Sequence, residues 1–269
     1  MHFFLEPKSV CLMLVRSILE CFNRCRILDG WRPATNNGCV IQVGRTVPSP
    51  GHRQQRVSRN AGISDIGTAI IAKENGRFVL HDSQGFEHGE GDNFKKVIDF
   101  LKARKDMPNV RDQVHAVWLC FQVSLSEGDR LFEAGVEELF RMKSKGELGP
   151  VPVITVFTKY DKLVEQIEFG NNLEFHKRNK HLDRESRNAR LPEETRAKFQ
   201  ELCLGPFEKS VNKDIPHIAV STNKEYKDTR KMLNELVRLT ADCVKNSLAV
   251  DRCCAGLRHR PTRESGCED

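Results

Sequence analysis

Short apolar segments alternate with segments of helical periodicity from residue 39 onward. The apolar segments favour β-strands, and they are residues 39–43, 66–71, 77–80, 116–123, 151–157 and 217–220. Between them, apolar residues recur at the i, i+3, i+4, i+7 spacing of amphipathic helices, at residues 94–101, 132–140 and 232–240. Segments that are apolar throughout are typical of strands covered by helices on both faces. The alternation predicts an α/β domain with a mostly parallel sheet flanked by helices.

The two ends of the chain do not continue this alternation. The spacing of apolar residues between Ser9 and Phe22 predicts a short helix, and the rest of residues 1–38 is expected to be a poorly ordered extension. The α/β domain would then occupy residues 39–248, with an insert at about 163–215 that is longer than a bare connection requires. Residues 249–269 are expected to be a polar tail.

Composition excludes several classes of protein. Charged residues interrupt the apolar segments, so none reaches the roughly 20 residues of a membrane-spanning helix. The ten cysteines include no C-x-x-C pair, so a zinc site is not predicted, and Cys39 and Cys120 lie in apolar segments typical of the core. The net charge of +6 does not by itself indicate a nucleic-acid partner, and no DNA binding is expected. Without a clear secretory signal, a cytoplasmic location is expected.

The polar segment T-K-Y-D-K follows the strand predicted at residues 151–157. In parallel sheets, ligands bind beyond the carboxyl ends of the strands. The carboxylate of Asp161 can accept hydrogen bonds from N1–H and the exocyclic amine of guanine, a pair of donors that adenine lacks in that arrangement. The stem of Lys159 can lie across the purine face, and Thr158 can tie this loop to a phosphate loop. The alternative is an ordinary helix start capped by Thr158 or Asp161.

Two further polar segments follow predicted strands. In H-D-S-Q-G-F-E, Asp82 would hold Mg²⁺ through water and Gly85 would allow the backbone to approach a γ-phosphate; the alternative is a simple turn. In S-T-N, a backbone N–H of Ser221, Thr222 or Asn223 could meet guanine O6, and the alternative is a polar loop.

Three stretches together resemble a known family: R-F-V-L-H-D-S-Q-G-F-E-H-G, H-A-V-W-L-C-F-Q-V and P-V-I-T-V-F-T-K-Y-D-K-L-V. They are similar to fungal G-domain proteins of the translation-factor-related branch of P-loop GTPases, akin to septins and the chloroplast Toc-type GTPases. The resemblance covers roughly residues 57–245. It implies a three-layer P-loop NTPase-like fold that binds GTP or GDP with Mg²⁺. By motif, it assigns the Mg²⁺/γ-phosphate box to Asp82 and Gly85, the guanine box to Thr158, Lys159 and Asp161, and the last box to Ser221 and Thr222.

The chain departs from this family where the phosphates should bind. The motif G-x-x-x-x-G-K-[ST] fails after Gly44, and residues 44–66 are too short for a phosphate loop, a helix and a switch loop. The first phosphate loop and its helix are therefore truncated. Ser64 is the nearest hydroxyl that could close over Mg²⁺. Phe86 stands where a water-orienting glutamine is expected, so hydrolysis would need another group, a protein partner or a dimer contact.

Three hypotheses for function remain open from the sequence. The first is a GTP-binding protein with slow or partner-assisted hydrolysis. The second is a pseudo-GTPase, an interaction module that binds no nucleotide. The third is a surface that binds RNA or a membrane through the basic residues of 176–198, although interleaved acids favour a solvated helical insert with i, i+4 ion pairs there.

Overall fold

The computed structural model describes residues 65–71, 79–83, 91–127, 134–169, 173–211 and 215–258, and the backbone of three short segments nearer the N-terminus. The strands are β1 (Cys11–Arg16), β2 (Trp31–Pro33), β3 (Cys39–Ile41), β4 (Ala69–Ile71), β5 (Val79–Asp82), β6 (Ala116–Gln122), β7 (Val153–Thr158) and β8 (His217–Ala219). The helices are α1 (Gly91–Lys105), α2 (Ala134–Ser144), α3 (Tyr160–Phe169), α4 (Leu173–Arg178), α5 (Arg184–Phe199), α6 (Gly205–Ser210) and α7 (Thr229–Arg258). A π-helical turn, Gln200–Leu204, joins α5 to α6.

Six of these strands form one sheet in the order β4-β5-β1-β6-β7-β8. The neighbours β6, β7 and β8 are parallel, with Gln122 opposite Thr158 at their carboxyl ends. Strand β1 is antiparallel to both of its neighbours, β5 and β6, and β4 is antiparallel to β5. The α/β class is confirmed, but among the described strands parallel pairing is confined to β6–β8 and does not extend through most of the sheet.

Helices cover both faces of the sheet, because its central strands are apolar on both faces. Every residue of β6 before Gln122 is buried, as is every residue of β7 before Thr158. On one face the core contains residues of α1, α2, α3 and α5; on the other it contains Leu233, Leu236 and Val244 of α7. The predicted helical periodicities are confirmed within the described residues, because most of their apolar positions are buried. The buried positions are Val97, Ile98 and Leu101, then Val136, Leu139 and Phe140, then Leu233, Leu236 and Thr240. Phe94, Met232 and Val237 are half-buried, and Phe132 lies outside the described residues.

The N-terminal part of the chain differs from the prediction. A strand, β1, lies at Cys11–Arg16, where a short helix was expected, and it occupies the centre of the main sheet. The continuous apolar run C-L-M-L-V suits a strand with neighbours on both sides. The strand predicted at 39–43 is found as β3, but it pairs with β2 in a separate two-stranded sheet. It is therefore not the first strand of the main sheet.

Two element boundaries and the packing of the insert also differ from the prediction. Strand β5 begins at Val79 and includes Asp82, so this residue ends the strand and does not follow it. The insert is helical, and both halves join the core, the first through Ile167 and Phe175 and the second through Phe199, Cys203 and Phe207. Helix α7 continues to Arg258, ten residues into the predicted polar tail. In the described part of the chain, no helix combines the length and the apolar character needed to cross a membrane.

The basic stretch at 176–198 forms α4 and α5, and several of its charges are paired. Arg178 contacts Glu194 at 2.6 Å, which joins the two helices, and Lys198 contacts Glu201 at 2.8 Å. Asp183 caps α5 by accepting from the backbone N–H of Ser186 at 2.7 Å. These contacts fit a solvated helical segment, although the ion pairs are not at the predicted i, i+4 spacing.

Candidate functional site

The ends of β6, β7 and β8 bring three loops together at one edge of the sheet. Their backbones are linked there: the N–H of Val123 donates to Thr158 O at 3.0 Å, and the N–H of Tyr160 donates to Val220 O at 3.1 Å. The segment from Thr158 to Asp161 therefore lies between the loops that follow β6 and β8. This is the edge at which the sequence placed the predicted guanine box and last box.

Lys159 has an unusual backbone at this point. Its φ is 59°, and it is the one non-glycine residue with positive φ in the part of the chain described. The left-handed conformation costs an L-residue about 1–2 kcal/mol and is concentrated at functional sites. The Lys159 ammonium Nζ donates to Gln122 Oε1 at 3.1 Å. The lysine stem is therefore drawn toward the end of β6.

Asp161 is the centre of the polar contacts at this edge. Ser221 Oγ donates to its Oδ1 at 2.7 Å, and Asn223 Nδ2 donates to its Oδ2 at 3.3 Å. The residue is only 4% exposed, so its carboxylate is held by protein donors in a largely desolvated place. The predicted guanine box and last box are thus brought into direct contact.

The side chains of Thr158 and Asp161 make long-range contacts and do not cap the following helix. Thr158 Oγ1 donates to the carbonyl of Phe121 at 3.0 Å, across to the neighbouring strand, and not to a phosphate loop as predicted. The carboxylate of Asp161 accepts from side chains sixty residues away along the chain. A helix, α3, does begin at Tyr160, but neither contact is a capping bond of it, so the cap expected at Thr158 or Asp161 is not found.

The loop after β8 is fixed by its own hydrogen bonds. Asn223 N–H donates to Ser221 Oγ at 3.1 Å, and Glu225 N–H donates to Asn223 Oδ1 at 3.1 Å. Thr229 Oγ1, at the start of α7, donates to the Asn223 carbonyl at 2.5 Å. Thr222 is buried, at 6% exposed. The two side chains that contact Asp161 are therefore held in place by α7.

Two tyrosines, the only two in the sequence, accompany this site. Burial, with smaller contributions from the negative charges of Asp228 and Asp161 and from Tyr160, raises the pKa of Tyr226 to about 12. Burial also raises the pKa of Tyr160, whose ring packs edge-on against Phe199. Both phenols therefore remain protonated hydrogen-bonding groups well above neutral pH.

The predicted magnesium site is only partly described. Asp82 is 3% exposed. It pairs with Met13 of β1, and Met13 pairs on its other side with Trp118 of β6. Asp82 is therefore at the same height in the sheet as Trp118, which lies four residues before the end of β6 at Gln122. At ~3.3 Å per residue and ~4.8 Å per strand, this places Asp82 about 20 Å from Thr158 along the sheet. Within the described residues, no group of three or more histidine, cysteine or acidic side chains could hold a metal ion. Gly85 and Ser64 lie outside the described residues.

Cys120 lies on the same face of the sheet as Asp82. Burial and the Asp82 carboxylate raise the pKa of the Cys120 thiol. The thiol therefore stays protonated, and the predicted role of Cys120 as a small core residue is confirmed, since it is 5% exposed. The side chain of Cys39 lies outside the described residues.

Sequence reasoning missed the side chains of Gln122, Asn223 and Tyr226. The amide of Gln122 ends an otherwise apolar strand, and a polar residue at that point of β6 is a usable signal, because the ends of parallel neighbours meet. Asn223 was predicted to contribute its backbone only. The chain matches no protein-family model, no curated protein and no solved structure. The geometry of this edge is therefore the basis for a proposal.

Proposed function

We propose that this protein binds guanine nucleotides, GTP or GDP, at the carboxyl ends of β6, β7 and β8, in a sheet related to that of P-loop NTPases. One observation carries the proposal. The buried carboxylate of Asp161 is held by a donor on each oxygen, directly after a left-handed lysine, at the edge where parallel sheets bind ligands. Burying the Asp161 carboxylate and holding Lys159 at positive φ both cost free energy, and folding alone does not require either at this position. A binding role would account for them.

The chemistry of the arrangement suits guanine. The carboxylate would accept N1–H and the exocyclic amine, and its charge makes these bonds stronger than bonds to a neutral acceptor. The apolar stem of Lys159 would cover one face of the purine while its ammonium remains on Gln122. Adenine presents no matching pair of donors, so the site would discriminate between the two bases.

The phosphate end of the nucleotide would be held weakly. A phosphate loop of the strand–loop–helix type leaves the carboxyl end of its strand. Because β1 is antiparallel to β6, its carboxyl end at Arg16 lies at the edge opposite the Asp161 loop. The central strand therefore cannot present such a loop to this site. We expect modest affinity that depends mainly on the base, and hydrolysis that is slow or assisted by a partner.

We propose that Mg²⁺ would bind together with the nucleotide and not at a separate protein site. Mg²⁺ is commonly held by one or two protein carboxylates together with substrate phosphates. Asp82 is the described residue that could supply such a carboxylate, and the ion would neutralise phosphate charge.

A second candidate is a pseudo-GTPase, an interaction module that binds no nucleotide. The observation that favours it is that the polar groups of the site already have protein partners: Lys159 contacts Gln122, and Asp161 contacts Ser221 and Asn223. In this case the same hydrogen bonds serve to hold the loops of the sheet edge together.

A thermal melt separates the two candidates. Ligand that binds only the folded protein raises Tm in proportion to the logarithm of its concentration above Kd. We expect GTP·Mg²⁺ and GDP·Mg²⁺ to raise Tm by several degrees at concentrations roughly a hundredfold above Kd, and ATP·Mg²⁺ to leave it unchanged. An equal shift with ATP and GTP, or no shift in a chain that melts cooperatively, would contradict guanine recognition.

The substitution Asp161→Asn tests the base contact directly. Xanthine carries a carbonyl where guanine has its amine, and an asparagine amide can donate to that carbonyl. The Ser221 hydroxyl can accept as well as donate, so the site accommodates this change. We expect the variant to lose GTP binding and to gain binding of xanthosine triphosphate. Asp242→Asn on the exposed side of α7 is the control and should bind like the wild type.

A further inference from the structure

We propose that Asn223 is a positioning residue for base specificity: its side-chain amide orients the Asp161 carboxylate so that the carboxylate reads the exocyclic amine of guanine. The inference rests on the proposed guanine site and assigns a side-chain role to Asn223, which was predicted to contribute only its backbone. Three observations support it: the direction in which the Asn223 amide donates, the number of acceptor positions on Asp161, and the hydrogen bonds that hold the donors in place.

The direction of the Asn223 amide is fixed by its neighbours. The oxygen and nitrogen of an asparagine side chain are interchangeable unless the hydrogen bonds distinguish them. Here Glu225 N–H donates to Asn223 Oδ1 at 3.1 Å, which identifies that atom as the oxygen. Asn223 Nδ2 must then face Asp161 Oδ2, 3.3 Å away. The amide is thus a donor toward the carboxylate.

The number of acceptor positions on Asp161 matches this arrangement. A carboxylate has about four acceptor positions, two on each oxygen. Ser221 engages one on Oδ1, and Asn223 engages one on Oδ2. One position on each oxygen is then left for the two donors of guanine. With only Ser221 in place, the carboxylate could rotate about its Cβ–Cγ bond and the second contact would lose its alignment.

The positioning donors are themselves anchored. Ser221 and Asn223 are linked by a hydrogen bond at 3.1 Å, and the Asn223 carbonyl accepts from Thr229 of α7 at 2.5 Å. Asp161 is 4% exposed, so water offers little replacement for a lost donor. We therefore expect a change in the Asn223 amide to affect the hydrogen bonds between the Asp161 carboxylate and the base more than it affects the stability of the fold.

Inosine triphosphate provides the measurement, because its base keeps N1–H but lacks the exocyclic amine. Dissociation constants for GTP and inosine triphosphate would be measured by calorimetry for the wild type and for Asn223→Ala. In the wild type we expect GTP to bind at least roughly tenfold more tightly than inosine triphosphate, the usual value of a hydrogen bond to a charged acceptor. In Asn223→Ala we expect this ratio to fall to about threefold or less, mainly through weaker GTP binding.

Two other variants separate the role of the Asn223 amide from a general effect on folding. Asn223→Ser retains an oxygen for the Glu225 N–H but cannot reach Asp161, so it should lose specificity even if the alanine variant fails to melt cooperatively. Asp242→Asn, on the exposed side of α7, leaves the contacts of Asn223 in place and should retain the wild-type ratio. If Asn223→Ser kept the wild-type ratio of the two dissociation constants, the positioning role of Asn223 would be overturned, while the proposed guanine site would stand. A wild type that binds neither nucleotide would overturn the proposed function, and this inference with it.

Discussion

The backbone of Lys159 shows at the scale of a single residue how the candidate site departs from local sequence preference. A lysine has no intrinsic reason to adopt φ of 59°, and glycine would be expected there. The sequence predicted the residues of this loop correctly as neighbours of a sheet edge, but not the left-handed turn. The turn lies beside three contacts from outside the loop, made by Gln122 to Lys159 and by Ser221 and Asn223 to Asp161, which no local pattern contains.

A pair of substitutions at this position separates backbone strain from side-chain function. We expect Lys159→Gly to be more stable than Lys159→Ala by about 1 kcal/mol, because glycine adopts positive φ without steric cost. Both variants lose the side chain, so both should bind GTP more weakly than the wild type. Urea unfolding measures the stability difference, and equal stabilities would mean that the left-handed turn carries no strain.

Tyr226 gives the site a dependence on alkaline pH. Its pKa is raised to about 12 in the folded protein, chiefly by burial, against an ordinary value of 10.0. Its contribution to stability is therefore complete below pH 10 and is lost as the pH rises from about 10 to about 12. We expect the free energy of unfolding to fall less steeply across this range in Tyr226→Phe than in the wild type. Urea unfolding at several pH values tests this, and parallel curves for the two proteins would contradict it.

Helix α7 shows which properties of a helix or strand could be predicted from the sequence and which could not. The period of its apolar residues predicted the helix and its buried face, and similar periods predicted α1 and α2. The ends of elements were less well predicted, because apolar patterning marks the buried middle of an element and says little about where hydrogen bonding stops. Thus α7 runs to Arg258, and β5 includes Asp82.

The contact between α7 and β6 contains a buried hydrogen bond that can be tested. Trp118 Nε1 donates to Thr240 Oγ1 at 2.9 Å across the helix–sheet interface. We expect Thr240→Val, which keeps the shape of the side chain, to destabilise the protein by about 1–2 kcal/mol because it removes this acceptor. Combining it with Trp118→Phe in a double-mutant cycle should give a coupling energy of at least about 0.5 kcal/mol. Additive effects would show that the bond contributes nothing of its own.

The direction of β1 is the main property of the whole molecule that the sequence did not predict. An apolar run such as C-L-M-L-V has the same pattern when read in either direction, so patterning does not specify whether a strand runs parallel or antiparallel to its neighbours. Direction depends on which strands it meets, and the partners of β1 lie 63 or more residues away along the chain. The strand itself was also not predicted, because the apolar spacing between Ser9 and Phe22 was interpreted as a short helix.

Truncation tests the central position of β1. We expect removal of residues 1–17 to abolish cooperative unfolding, because β5 and β6 would both lose their neighbour and present unpaired edges. Removal of residues 1–9 leaves β1 in place and is the control, with cooperative unfolding retained. Circular dichroism during heating distinguishes these outcomes. A sharp wild-type transition in the longer truncation would show that β1 is dispensable.

The inverted strand also has a consequence for synthesis of the protein. The residues of β1 leave the ribosome about a hundred residues before β6, the partner that completes their pairing. At the usual 5–20 residues per second, the segment waits for roughly 5–20 s. During this interval an apolar segment with high strand propensity is exposed without its full set of partners, because β5 is made earlier than β6, and this favours aggregation or capture by a chaperone. The parallel strands β6–β8, whose pairs are closer in sequence, can associate before the central strand is in place.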